Sequence, residues 1–158
     1  MERLLHYVWK HKLLPLGPLR TPEGLEVEVI DPGLHNHDQG PDFFNAKIRL
    51  GGTLWAGNIE MHLRSSDWYR HGHDSDPSYN SVILHVVGEV DGEARTLEGK
   101  TLPQVRLDIP EHIRTNYEVL CRTEDYPRCH RIIPSLPLLK VHQWMDALLV
   151  ERLKERSE

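Results

Sequence analysis

Asp42-Phe43-Phe44-Asn45-Ala46-Lys47-Ile48-Arg49-Leu50-Gly51-Gly52-Thr53-Leu54-Trp55-Ala56-Gly57-Asn58-Ile59-Glu60-Met61-His62 alternates apolar and polar side chains on either side of a glycine pair. Period-two geometry places Phe44, Ala46, Ile48 and Leu50 on one side of a strand and Asn45, Lys47 and Arg49 on the other. Gly51-Gly52 supplies the positive φ values that a two-residue hairpin turn needs. On the returning strand, Ile59, Met61 and Leu63 form one row and Asn58, Glu60 and His62 the opposite one. A two-residue loop sets residue 50 against 53, which carries Asp42 to a position opposite Met61, flanked by Glu60 and His62. Directly opposed residues lie about 5 Å apart and diagonal ones about 7–8 Å. Regular pairing leaves Asp42 on the Met61 face, so a pocket shared with Glu60 requires one bulge, expected at Gly57 or at Pro41-Asp42.

Two carboxylates facing one point repel unless one is protonated or a cation lies between them. Oxygen-rich sites suit Mg²⁺ or Mn²⁺, which can activate a water for attack on a phosphodiester. The expected metal ligands are Asp42 and Glu60. His62, with an ordinary pKa of about 6.5, is the expected water-positioning group or base. The plain alternative is a solvated Asn/Glu/His row on an edge strand.

Outward from the hairpin, Leu4, Leu5, Val8 and Trp9 recur at helical spacing within residues 2–13, and Pro15 and Pro18 end that helix. Leu25, Val27 and Val29 mark a strand closed by Asp31-Pro32-Gly33. Ser65, Ser66 and Asp67 offer caps for a short helical turn at Trp68-Tyr69. Val82 to Val87 reads as a central strand covered on both faces, interrupted only by His85. Asp91-Gly92 signals a second hairpin, from which Leu102 to Ile109 pairs back. Helices follow over Glu111 to Cys121 and along the stripe Leu138, Val141, Met145, Leu148 and Leu149. The expected class is α/β or α+β: a mixed central sheet with a β-hairpin and flanking helices. Residues 1–110 form the core. Residues 111–158 form a carboxy-terminal helical segment, packed on the core or on a missing or partner region.

A chain of 158 residues suits one compact domain that buries about 68–70% of its unfolded surface without disulfides. Cys121 and Cys129 are read as reduced thiols, and the neighbouring His130 does not complete a zinc site. No apolar run approaches the roughly 18–20 residues that cross a bilayer, and residues 1–12 do not resemble a signal peptide, so a cytoplasmic protein is expected. Residues 21–110 carry seven basic and fifteen acidic side chains, a local charge of −8. That balance opposes simple coating of nucleic acid but not a metal-dependent phosphodiesterase, whose cation offsets clustered carboxylates. The compositional outlier is 11 histidines.

Gly40-Pro41-Asp42-Phe43-Phe44-Asn45-Ala46-Lys47-Ile48, Trp55-Ala56-Gly57-Asn58-Ile59-Glu60-Met61-His62, Ser65-Ser66-Asp67-Trp68-Tyr69 and Val82-Ile83-Leu84-His85-Val86-Val87 together resemble an uncharacterised bacterial family of unknown function. The resemblance covers most of residues 1–110 and implies longer members, to whose amino-terminal portion this chain corresponds. It implies no activity. More loosely, Pro41-Asp42 followed by Glu60-Met61-His62 on a hairpin after a helix is similar to the PD-(D/E)XK nuclease core. Carried over by position, Asp42 and Glu60 hold Mg²⁺ or Mn²⁺, and His62 stands where those nucleases have lysine. Histidine lacks a permanent ammonium charge, and its imidazole favours Mn²⁺ of the two ions.

Lys47 is a candidate substitute for that lysine, read otherwise as solvated. His71, His73 and Asp76 follow the Trp68 turn and are candidates for the same cleft, with a polar surface turn as the plainer reading. His85 is a core histidine or a support for the metal ligands. His35 and His37 are read as loop residues. Were they close to Glu60, a small-molecule metal hydrolase would follow. Trp9, Trp55, Trp68 and Trp144 are expected mostly as packing anchors. The leading expectation is a divalent-metal-dependent nuclease or phosphodiesterase acting on DNA or RNA. The alternative is a non-catalytic scaffold or binding module. A homo-oligomer through the final helix is a further expectation.

Overall fold

A computed structural model describes residues 2–13, 18–122, 124 and 133–157. Its centre is the expected hairpin, β4 (Phe43–Leu50) and β5 (Thr53–Arg64), paired from Leu50↔Thr53 with Gly51 at φ 55° and Gly52 at φ 86°. Regular pairing holds back to Ala46↔Gly57, after which Phe43 faces Ile59. One extra residue on β4 has therefore shifted the register, and Asp42 comes opposite Glu60 instead of Met61. The required bulge lies at Phe44-Asn45, and Asn45 adopts φ 55°. Asn45 N–H donates to Asn58 Oδ1 (3.2 Å), while Asn58 Nδ2 donates to Ser81 Oγ (2.8 Å), so one amide clasps the bulge to the neighbouring segment. Gly57, an alternative bulge position in the sequence reading, instead leaves room for the Ile83 side chain.

Gly33 presses on this bulge from the other side. It has φ 86°, and a Cβ there would lie 2.5 Å from Phe44 O and 3.0 Å from Ala46 N. Both contacts are backbone, so neither can rotate away. Gly33→Ala is expected to cost about 2 kcal/mol, from αL strain plus displacement of the bulge. Urea unfolding checks this, and an unchanged midpoint would mean that the bulge does not depend on the close approach.

The sheet runs β1 (Leu19–Arg20), β2 (Glu26–Asp31), β4, β5, β6 (Val82–Glu89), β7 (Gln104–Arg106), with β3 (Leu34–His35) added on β4. Pairing is antiparallel from β1 to β5 and parallel from β5 through β7. This corrects the hairpin expected at Asp91-Gly92. The segment between β6 and β7 crosses over, so Gln104–Arg106 runs alongside β6 in the same direction. β1 also approaches β7, so the mixed α+β sheet is nearly closed.

Ile59 and Met61 align with Leu84 and Val86 on an apolar face, and Glu60 aligns with His85 on the other. Leu84, Val86, Ile48 and Ile59 are fully buried. Helix α1 (Glu2–Lys10) buries the expected Leu4, Leu5, Val8 and Trp9, and the Trp9 indole donates to Pro32 O (3.0 Å).

Contacts divide the chain into Met1–Arg114 and Thr115–Glu158. The second unit contains most of α3 (Glu111–Arg122) and all of α4 (Leu138–Ser157). Leu138, Met145, Leu148 and Leu149 of the expected stripe are exposed. Trp9 and Trp68 are core residues, whereas Trp55 and Trp144 are exposed. Cys121 is an exposed free thiol; Pro15, Cys129 and His130 lie outside the described residues. No helix among the described residues is long and apolar enough to cross a membrane.

Candidate functional site

The bulge locks the two acids together. Asp42 N–H donates to Glu60 Oε2 (3.1 Å), and Met61 N–H donates to Asp42 Oδ2 (2.9 Å). Glu60 is buried at 5% exposure. Burial, then repulsion from Asp42, pushes its pKa up to about 9, against the opposing pull of the Asp42 amide and His6. His6, on α1, brings Nε2 to 3.3 Å from Asp42 Oδ2. Burial disfavours its charge, but the hydrogen bond and attraction of Asp42 outweigh that and raise its pKa.

The other Glu60 oxygen faces a different set of groups. Between β5 and β6 the chain forms α2 (Asp67–Arg70) and a 3₁₀ turn (Pro77–Ser81). Helix α2 ends in a Schellman motif: Gly72, at φ 75°, donates to Tyr69 O (3.1 Å), and His73 N–H donates to Trp68 O (3.1 Å). The αL glycine reverses the chain between His71 and His73, so both rings turn back towards β5. Trp68 supports them from below. It is fully buried, its indole donates to Arg95 O (2.8 Å), and its ring meets those of His73 and His85 edge-on or tilted, each at 5.3 Å. Tyr79 stacks on His73 at 3.8 Å. Burial and the nearby Glu60 push its hydroxyl pKa up to about 12.

Glu60 Oε1 consequently lies 3.1 Å from His73 Nε2 and 3.5 Å from His62 Nε2. His62 Nε2 is 3.0 Å from His71 Nδ1, and His62 Nδ1 is 2.8 Å from His85 Nε2. One ring nitrogen from each of His62, His71 and His73 lies within 4.8 Å of the other two. Burial and mutual repulsion depress the imidazole pKa values, His62 to about 2 and His85 to about 4. Burial also lowers that of His73, against the pull of Asp42, Asp76 and Asp74. The buried part of the site is therefore a carboxyl group among the neutral imidazoles of His62, His73 and His85, with lone pairs available.

These shifts predict a bell-shaped stability profile for the metal-free chain. Below the ordinary imidazole value of 6.5, unfolded His62 and His85 take up protons that the folded chain excludes, so stability falls as the solution is acidified. Glu60 acts oppositely: between 4.5 and about 9 the folded chain holds a proton that the unfolded one has lost, so stability falls as pH rises. Two histidines outweigh one carboxyl below 6.5, and above it Glu60 and the raised His6 both make stability fall as pH rises. Urea midpoints of chelator-treated protein should peak between about pH 6 and 7. A midpoint still rising at pH 9 would contradict this.

Of the residues singled out from sequence, Asp42, Glu60, His62, His71, His73 and His85 converge. Asp76 is exposed and caps the 3₁₀ turn, its Oδ1 accepting from Ser78 N (2.8 Å) and Ser78 Oγ (2.7 Å). Lys47 is exposed on β4 opposite Ala56. His35 stacks on Phe43 (4.9 Å) and meets His6 and His37, which places it against the start of β4. His6 escapes a motif reading because its helical spacing merely continues an amphipathic pattern. His71 is separated from His73 by the glycine that brings them together.

A family model described as a protein of unknown function, DUF2851, matches residues 2–158, and the chain belongs to that family. Neither a curated protein nor a solved structure matches it.

Proposed function

We propose that this DUF2851 member is a divalent-metal-dependent hydrolase of phosphodiester bonds, centred on Glu60. The observation that supports it best is the convergence of Glu60 Oε1 with the His62 and His73 rings at 3.1–3.5 Å in a buried pocket braced by Asp42. Buried acids and neutral imidazoles assembled this closely form a set suited to a cation. The order of parts also supports the PD-(D/E)XK-like reading: α1 precedes a hairpin with Asp42 before its first strand and Glu60 on its second. DNA or RNA is then the substrate, in a cytoplasmic setting.

A bound divalent ion supplies charge that polarises the phosphoryl group and acidifies water. The chain's own groups do the rest. His6 and the Met61 amide hold Asp42, and the Asp42 amide holds Glu60 Oε2, so that Oε1 stays aimed at the imidazoles. As the water oxygen bonds to phosphorus, the ester P–O bond breaks and the water's proton ends on the departing alkoxide, so the reaction consumes one water and leaves the chain unchanged. His71 is the exposed member of the histidine cluster.

The test is cleavage of single-stranded DNA, RNA and bis(p-nitrophenyl) phosphate by the full chain with Mg²⁺, Mn²⁺ or Zn²⁺. Cleavage that appears with an ion and disappears with a chelator is expected. No cleavage of any of the three with any ion would overturn the proposal.

A further inference from the structure

We infer that the ion is held by ring nitrogens of His62, His71 and His73 together with Glu60 Oε1, a donor set whose resident ion is a first-row transition metal of the zinc class and not Mg²⁺. This deepens the hydrolase reading and rests on it for the ion's role, but the donor geometry stands independently.

Four tetrahedral ligands with bonds of about 2.0–2.1 Å lie roughly 3.3 Å apart. The contacts among these atoms are 3.0 Å from His62 Nε2 to His71 Nδ1, 3.5 Å from His62 Nε2 to Glu60 Oε1 and 3.1 Å from His73 Nε2 to Glu60 Oε1. These three spacings, with the histidine nitrogens all within 4.8 Å of one another, suit one ion shared by the imidazoles, with Glu60 Oε1 beside His62 and His73. His73 Nε2 is a second sign. Its side chain is only 10% exposed, and the nitrogen is buried 3.1 Å from Glu60 Oε1 without a hydrogen bond of good geometry to it. A buried imidazole nitrogen in that state lacks a satisfying contact, and a cation would provide one.

The proton positions agree. A neutral His62 carries one ring proton but faces imidazole nitrogens on both sides. If Nδ1 donates to His85 Nε2, then Nε2 presents its lone pair to the pocket. His85 then carries its own proton on Nδ1, on the side of Gln104, its register partner on β7. Gln104 Nε2 donates to Gly92 O (2.7 Å), which leaves the amide oxygen as its remaining acceptor. The contact with buried His85 gives His62 the outer support that ligating histidines ordinarily have. Mg²⁺ demands oxygen ligands in octahedral array and keeps its waters, whereas imidazole suits zinc, copper, iron and nickel.

Co²⁺ substitution and calorimetry of the full chain test the inference. One Co²⁺ should bind with visible absorption bands of nitrogen ligation, and Zn²⁺ should displace it. His71 is exposed, so His71→Ala should fold normally while weakening Zn²⁺ binding by about 100-fold or more. His112→Ala, on α3, should leave the affinity unchanged. Equal Zn²⁺ affinity in wild type and His71→Ala, or absence of Co²⁺ bands, would overturn the assignment. Nitrogen-ligated Co²⁺ without phosphodiester cleavage would uphold this site while rejecting the hydrolase. Mg²⁺-supported cleavage without Co²⁺ bands would uphold the hydrolase and reject this donor set.

Discussion

Glu60→Gln should remove metal-dependent phosphodiester cleavage by about 10³-fold or more while the chain remains folded. Glutamine preserves the shape and one oxygen acceptor, so the Asp42 amide, now 3.1 Å from Glu60 Oε2, can keep its hydrogen bond. What disappears is the anionic oxygen aimed between His62 and His73. Burial already holds this carboxyl largely protonated in the metal-free chain, with a pKa of about 9. A neutral amide is therefore no worse a tenant of the pocket, and thermal stability at pH 7 should be equal or slightly higher. The measurements are initial cleavage rates alongside thermal unfolding. Retained activity in a folded Glu60→Gln protein would remove Glu60 from the chemistry.

Trp68→Ala should cost about 3–5 kcal/mol and lower Tm by roughly 10 °C. Trp68 is fully buried in a cluster with Tyr79, Val82, Ala94 and Leu102. Its indole N–H also ties the β5–β6 crossover to Arg95 O (2.8 Å), leaving that carbonyl without its donor when the ring is deleted. The cavity would open beneath His73 and His85, so metal affinity should fall along with stability. Trp68→Phe, which keeps much of the ring but not the N–H, should lose less of both. Calorimetric unfolding of the three proteins checks the ranking, and a Trp68→Ala midpoint within about 2 °C of wild type would contradict it.

The sequence pattern made the hairpin legible because alternation and a Gly-Gly turn are local signals that admit one reading. Counting along that hairpin also showed that a bulge was needed to bring Asp42 beside Glu60. Its position was not legible, since it depends on contacts distant in sequence: the Asn58 amide reaching Asn45, and Gly33 lying against Phe44 and Ala46. The parallel placement of β7 was obscured for a similar reason, because Asp91-Gly92 is a turn signal that a crossover uses equally well.

Among the candidate site residues, Asp42, Glu60 and His62 follow from strand period. His71 and His73 were visible only as neighbours of the Trp68 turn, since a Schellman turn fixes where they lie, and His6 was not visible because it comes from a helix distant in sequence. Histidine abundance was the compositional trace of the cluster. Composition alone does not say which of the 11 meet.

Crystals of the full chain grown with Zn²⁺ and measured at the zinc absorption edge provide the most direct test of the metal pocket. One anomalous peak is expected about 2.0–2.2 Å from Glu60 Oε1 and from a ring nitrogen of each of His62, His71 and His73. An empty pocket at that edge, with zinc bound only at other histidines such as His35 or His37, would contradict the account.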